Sequence, residues 1–185
     1  MRKWFKLVCF LGLLCFGLSA NAQFYSAKTN VLGLATGNLN LEVSAALSRK
    51  VTLHVPVNYN PFTYNFLAEN CKMQNLTVQP GARYWLTESY MRWFIGAHAT
   101  YSCYHVGWKE LSKYRYDGWG VGGGFSAGYA KMISKRWNFE CEIGASVMYQ
   151  KYDRYLCKKC GSLPEPKHKV NVVPTQLSLA FVYLF

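Results

Sequence analysis

The residues of this sequence that have chemistry to offer fall into two groups. One is a set of charged and imidazole side chains running from Lys28 through Glu42, His54, Arg83 and His98 to Glu140 and Glu142. The other is cysteine: Cys71, Cys103, Cys141, Cys157 and Cys160 follow the first 22 residues. Nucleophilic catalysis needs a Ser or Cys held beside a base that a third group orients. No Ser, His and carboxylate set recurs with that placement, so no catalytic residue is assigned and no enzyme is expected. The run GWGVGGG from Gly118 to Gly124 has no helical pattern after it, which argues against a phosphate cradle. Cys157-Lys158-Lys159-Cys160 has no second C-x-x-C to complete it, a weak zinc signal even with His105 or His168 recruited. Neither metal nor cofactor is expected.

What these side chains can do depends on the elements that hold them. Apolar and polar residues alternate over Ala27–Ala35, Leu39–Leu47, Val51–Tyr59, Leu76–Leu86, Trp93–Ser102, Gly118–Lys131, Trp137–Tyr149 and Val172–Phe185. A period of two predicts strands, and no helical period competes over a useful length. In Val51–Tyr59 one face is Val51, Leu53, Val55, Val57 and Tyr59; the other is Thr52, His54, Pro56 and Asn58. Pro80 and Pro174 fall inside predicted strands and warn of local irregularity. Eight strands, each near the roughly 9–11 residues that cross a bilayer at a tilt, suggest a closed transmembrane barrel.

Connections and aromatics favour that reading over a water-soluble sandwich. The turns Ser48–Lys50, Thr87–Arg92 and Met132–Arg136 are short, whereas Asn60–Asn75, Cys103–Asp117 and Gln150–Asn171 are long, with only Thr36–Asn38 short among the latter. Short turns at one end and long loops at the other are the outer-membrane pattern. On the apolar faces, Tyr84, Trp93, Tyr129, Trp137, Tyr183 and Phe185 fall at the short-turn end, and Tyr59, Tyr101, Trp119 and Tyr149 at the long-loop end. These are expected to form two interfacial girdles. The last strand, Thr175 to Phe185, sets Thr175, Leu177, Leu179, Phe181, Tyr183 and Phe185 on one face. The terminal aromatic Phe185 resembles the signal read by the outer-membrane barrel assembly machinery, an expected partner during biogenesis.

With the face assignment in place, the polar side chains acquire roles. Eight strands enclose a space that side chains fill, so Lys28, Glu42, Arg83, His98, Glu140 and Glu142 are expected to form an interior charge network, because unpaired buried charges are costly. Gly118, Gly120, Gly122, Gly124 and Gly128 share the inward face of one strand and leave room for Trp85 or Phe94. Cys141 takes a lipid-facing position as a small apolar filler. Cys71, Cys103, Cys157 and Cys160 lie in or beside the long loops, where an oxidising exterior permits disulfides; three complete pairings are open.

The N-terminus indicates the compartment. Arg2, Lys3 and Lys6 precede the apolar run Leu7 to Leu18, and Ala20 and Ala22 are small residues at the −3 and −1 positions. This is the pattern of a secretory signal peptide cut after Ala22, too short for a spanning helix. Residues 1–22 are thus read as the signal and 23–185 as the barrel. Three of the basic residues lie in the signal, so the formal charge of +12 falls to +9 for the remainder. An exported basic chain meets anionic lipid rather than nucleic acid.

Several stretches also resemble a known family. "KTNVLGLATGNLNLEVS", "VPVNYNPFTY", "VQPGARYWL", "FIGAHATY", "RYDGWGVGGGFSAGY", "KRWNFECEIGASVMYQKYDRYLCKKCG" and "VPTQLSLAFVYLF", in this order, resemble the Bacteroidetes outer-membrane proteins known as domain of unknown function 3575. The resemblance implies a small β-barrel in the outer membrane of a Gram-negative bacterium, carries over no catalytic residue, and brings in fimbrial or other surface proteins as partners. The expectation is therefore an all-β, eight-stranded antiparallel up-and-down transmembrane barrel with a filled interior. Its expected role is structural or surface-interacting, through basic Tyr-rich loops. An accessory of fimbrial or envelope assembly is the alternative, and a lipid-modifying enzyme a more distant one.

Overall fold

The computed structural model describes residues 25–64, 71–107, 114–156 and 165–185. The chain forms β1 (Tyr25–Asn30), α1 (Val31–Ala35), β2 (Leu39–Ser48), β3 (Val51–Asn60), β4 (Thr63–Tyr64), β5 (Cys71–Val78), β6 (Gly81–Trp85), β7 (Arg92–Gly107), β8 (Tyr114–Met132), β9 (Trp137–Leu156) and β10 (Glu165–Leu184). β5 and β6 are two halves of one wall strand, and β4 is a short extension, so the sheet is an eight-stranded antiparallel barrel. It closes where β1 pairs with β10, from Ser26 opposite Leu184 to Asn30 opposite Ala180. No described helix is long and apolar enough to cross a membrane.

Pleating places alternate residues on opposite faces, and burial follows the alternation throughout. On β9, Asn138, Glu140, Glu142, Gly144, Ser146 and Met148 are buried, while Trp137, Ile143, Val147 and Tyr149 are exposed on the outer face. The barrel is thus apolar outside and polar within, the reverse of a water-soluble core.

Four expectations about the strands need correction. Residues 27–35 do not form one strand: β1 stops at Asn30, whose Oδ1 accepts from the Leu32 backbone N–H at 3.1 Å and caps α1. Asn40 then imitates the missing ladder, its Oδ1 accepting from Asn30 N–H at 2.6 Å and its Nδ2 donating to Asn30 O at 2.9 Å. Side chains of this kind compete with the backbone for its own partners. Gly37, at φ 75°, reverses the chain after the helix, a conformation open to glycine.

The predicted strand Leu76–Leu86 is broken at Gln79 and Pro80, since proline has no N–H for the ladder, and it begins earlier, at Cys71. Strands β7 to β10 run well past their predicted ends, reaching Gly107, back to Tyr114, to Leu156 and back to Glu165. Much of what reads as long loop is therefore protruding sheet. In β10 the register shifts between Pro174 and Gln176. This bulge turns Thr175 inward, where strict alternation had put it outside; its Oγ1 lies 2.7 Å from Ser146 Oγ and 3.2 Å from His98 Nε2. A bulge re-aims a side chain in this way by adding one unpaired residue.

The short-turn mouth is closed by an apolar plug. Trp85 is fully buried, donates its indole N–H to Thr52 Oγ1 at 3.0 Å, and packs against Phe94 with ring centroids 4.6 Å apart. Tyr90, in the β6–β7 turn, folds back beneath Trp85 at 5.7 Å and is 4% exposed. Its φ of 66° is unfavourable for a residue with a Cβ. A hydrogen bond between its hydroxyl and Ser44 Oγ at 2.9 Å and one from Asn138 Nδ2 to its carbonyl at 2.7 Å hold it there. On the adjacent strand β8, directly opposite Phe94 in the ladder, a Cβ on Gly128 would stand 2.4 Å from the Phe94 ring and 2.5 Å from Cys141 O, so only glycine fits. Contrary to the expectation for the whole glycine face, Gly118, Gly122 and Gly124 press on β9 rather than on Trp85 or Phe94.

Candidate functional site

Above the plug, four strands bring five charged side chains together. Lys28 comes from β1, Glu42 from β2, Arg83 from β6, and Glu140 and Glu142 from successive inward positions of β9. Arg83 donates through Nη1 and Nη2 to both oxygens of Glu42, at 2.5 and 3.1 Å. The same guanidinium reaches Glu142 through Nη2 at 2.7 Å and Nε at 3.4 Å, and lies 5.2 Å over the Phe94 ring. Lys28 donates to Glu140 and, at 2.9 Å, to Glu142, with Glu42 at 3.3 Å. Every one of these side chains is 7% exposed or less. Two cations against three carboxylates leave the cluster one negative charge in excess when all are ionised.

Such a cluster adds little net stability over an apolar core, because desolvation offsets attraction. Its members come from β1, β2, β6 and β9, so their pairing ties both ends of the chain to its middle. His98, expected among these charges, stands apart from them. Its Nε2 lies 2.9 Å from Ser146 Oγ and 3.2 Å from Thr175 Oγ1, in a separate layer of hydroxyls that Gln79 joins through Thr100 at 3.3 Å. His54 is buried between the layers, with no hydrogen bond to either ring nitrogen.

The described residues leave space in the long-loop half of the lumen. A cavity of about 440 Å³ has Lys28, Glu42 and Glu142 for its floor and Asn58, Thr77 and Gln176 on its walls.

The expected aromatics lie on the outer surface, and those at the short-turn end touch one another. At the short-turn end Trp93 meets Tyr129 at 5.0 Å, Trp137 meets Tyr183 at 5.1 Å, and Tyr183 meets Phe185 at 5.1 Å. Phe185 is 68% exposed, and its backbone N–H donates to Tyr25 O at 2.9 Å. At the other end Tyr101, Val121, Tyr149 and Val170 lie in register across β7 to β10. Beyond them the protruding sheet sets His105 Nε2 against Asp117 Oδ2, Tyr116 edge-on to Tyr152 at 5.7 Å, and His168 stacked on Tyr149 at 5.9 Å.

Of the loop cysteines, Cys103 is a free thiol on β7, half-buried, 3.2 Å from the Tyr101 hydroxyl. The Cys71 side chain, Cys157 and Cys160 lie outside the described residues, as does the signal reading of residues 1–22. Cys141 is a half-buried free thiol at an outward position of β9. No group of three metal-ligating side chains occurs among the described residues.

A family model described as a protein of unknown function, DUF3575, matches residues 7–185. The chain belongs to the DUF3575 family. No curated protein matches it. In this DUF3575 barrel the match spans every described strand, from β1 through β10. Sequence reasoning missed two of the residues that shape the site. Tyr90 reads as an ordinary turn residue, although an aromatic in the six-residue turn TESYMR is a signal that the turn packs on something. Asn30 reads as a strand residue; Asn followed by Gly33 and Gly37 is the hint of a break.

Proposed function

We propose that this protein is a small outer-membrane β-barrel with a structural or surface-interaction role, exported by cleavage after Ala22 and delivered by the barrel assembly machinery. The observation that carries the reading is the inverted polarity of the wall. Leu53, Val55, Ile143, Val147, Leu177 and Phe181 are all exposed on the outer face, while five charges are buried inside. An apolar surface of that extent calls for a cover, and aromatic belts at both of its edges fit the two interfaces of a bilayer. Trp137 and Tyr149 stand twelve residues apart on β9, which at about 3.3 Å per residue and a tilt near 40° spans roughly 30 Å.

The surface role rests on the protruding sheet of β7 to β10, where Tyr104, Tyr116, Tyr152, Lys151 and His168 stand beyond the outer belt. Aromatics that present a ring and a polar tip suit recognition. No catalytic role is assigned. The test is fractionation of cells expressing the full chain, followed by gel electrophoresis with and without boiling. The expected result is an outer-membrane band whose mobility shifts on heating, since folded barrels resist detergent; recovery in the soluble fraction would overturn the reading.

A further inference from the structure

The barrel closes over only part of β10. Lys28 of β1 stands opposite Glu42 of β2 and Val182 of β10, so Leu39, three residues before Glu42 where β2 begins, is level with Leu179. From that level β10 continues toward the long-loop end as far as Glu165, paired with β9 on one side throughout. On its other side Asn30 donates to Leu177 O at 3.0 Å and accepts from Leu179 N–H at 3.2 Å, and α1 packs beside it. Beyond Pro174 no described strand or backbone group pairs with that edge.

The side-chain faces tell which backbone groups the open edge presents. In a strand, residues whose side chains share a face point their N–H and C=O to the same edge. Phe185, Leu179 and Leu177 face outward, and all three bond toward the β1 side. Past the bulge the outward residues are His168, Val170 and Val172, so their N–H and C=O groups face the open edge. Pro166 and Pro174 share that parity, where a proline costs no bond to β9, and sheets admit proline at such edges. The two prolines bound a window whose donors are His168, Val170 and Val172.

The side chains beside this window select what fits it. Val170 and Val172 are 63% and 72% exposed on the outer face. Lys169 lies between His168 and Val170 on the inner face, and Lys151 faces outward opposite His168. Neither lysine has an ion pair among the described residues. Asp153 stands opposite Pro166, at the window's end. Prolines and a lysine on an edge limit unselective pairing, so a strand that docks there must bring the opposite charge.

An exposed edge takes an added strand from a partner, main-chain bonds supplying affinity and alternate side chains selectivity. We propose that the β10 edge from Pro166 to Pro174 binds an extended acidic segment of a partner protein as an added strand, with apolar side chains beside Val170 and Val172 and carboxylates toward Lys169. This names the partner chemistry of the surface-interaction reading, and rests on that reading for the partner's access from outside.

The experiment is fluorescence anisotropy of a labelled peptide alternating valine and glutamate, nine residues long like the stretch from Pro166 to Pro174, titrated with the refolded barrel in a polyoxyethylene detergent. It should bind about tenfold or more tighter than the same peptide N-methylated at every residue, which keeps the side chains and has no donors, and than a valine–lysine peptide. Val170→Pro removes the central edge donor, as Pro166 and Pro174 do at the ends, and should lower affinity about tenfold while the barrel stays heat-modifiable. Lys169→Glu should reverse the preference between the glutamate and lysine peptides. Should Val170→Pro not fold, Lys169→Glu and the N-methylated peptide decide. No binding of the glutamate peptide, equal binding of either control peptide, or full binding by the folded variants would overturn the proposal. A barrel that is dimeric before peptide is added, and monomeric as Val170→Pro, would give the edge to a second copy and overturn it too. Cell fractionation separates the two claims. A barrel found in the outer membrane that ignores the peptide refutes the edge alone, and one that binds the peptide but is recovered in the soluble fraction refutes the membrane reading alone.

Discussion

Replacing Arg83 by Met tests the interior cluster most sharply. The substitution keeps an unbranched apolar stem in place of the arginine's and removes four hydrogen bonds, two to Glu42 and two to Glu142. Three buried carboxylates are then left with Lys28 as their one cation within the cluster. Removing one partner of a buried pair costs about 3–5 kcal/mol, because the remaining charge is uncompensated. With a slope of about 1–3 kcal/mol per molar urea, the unfolding midpoint of the vesicle-reconstituted barrel, followed by tryptophan fluorescence, should fall by roughly 2 M. Glu142→Gln in the same background removes one of the two carboxylates that Arg83 had bonded, so the double variant should recover part of the loss. The coupling between the two sites should be about 0.5–3 kcal/mol. A midpoint unchanged by Arg83→Met, or additivity of the two substitutions, would refute the reasoning that these charges are buried and mutually dependent.

Further outcomes follow from the plug and the chain end. Trp85→Ala, which empties a fully buried ring site and frees the Thr52 hydroxyl, should cost about 3–5 kcal/mol in the same unfolding measurement; a loss below 1 kcal/mol would mean that the mouth is not packed as described. Gly128→Ala places a methyl against Phe94 and Cys141 O and should destabilise by about 1–3 kcal/mol, whereas Ala at exposed Gly123, whose nearest contact is 3.8 Å away, should be close to neutral. Deletion of Phe185 should lower the yield of assembled barrel in cells and leave refolding in detergent intact, separating recognition from stability; equal loss in both would assign the residue to stability.

How much of this was legible in the sequence depended on which interaction set each feature. A period of two needs no tertiary knowledge, so the inward placement of Lys28, Glu42, Arg83, Glu140 and Glu142 could be read directly. Their convergence could also be expected, since charges inside a narrow barrel have few other partners. His98 shares the parity but not the level along the axis, and level depends on strand stagger, which the sequence pattern does not report. Features set by single side chains stayed hidden. Asn30 ends β1 by capping α1 and bonding Asn40; Thr175 enters the lumen only because β10 bulges after Pro174; Tyr90 occupies the mouth at a positive φ. The protruding ends of β7 to β10 look like loops in the sequence because polar residues occupy both faces there, and alternation carries no contrast when both faces meet water.

The measurement that bears most directly on the central claim is the stability of Ile143→Arg. Ile143 lies six residues from Trp137 and from Tyr149 on β9, midway between the belts, and is 66% exposed on the outer face. In a barrel surrounded by lipid, arginine at that depth should cost about 2–4 kcal/mol in reversible unfolding from vesicles. In a barrel surrounded by water, the same substitution at an exposed site should stay within about 0.5 kcal/mol. A loss in the first range, with Val55→Arg behaving alike, is the expected result; a neutral Ile143→Arg variant would contradict the assignment of this face to the membrane.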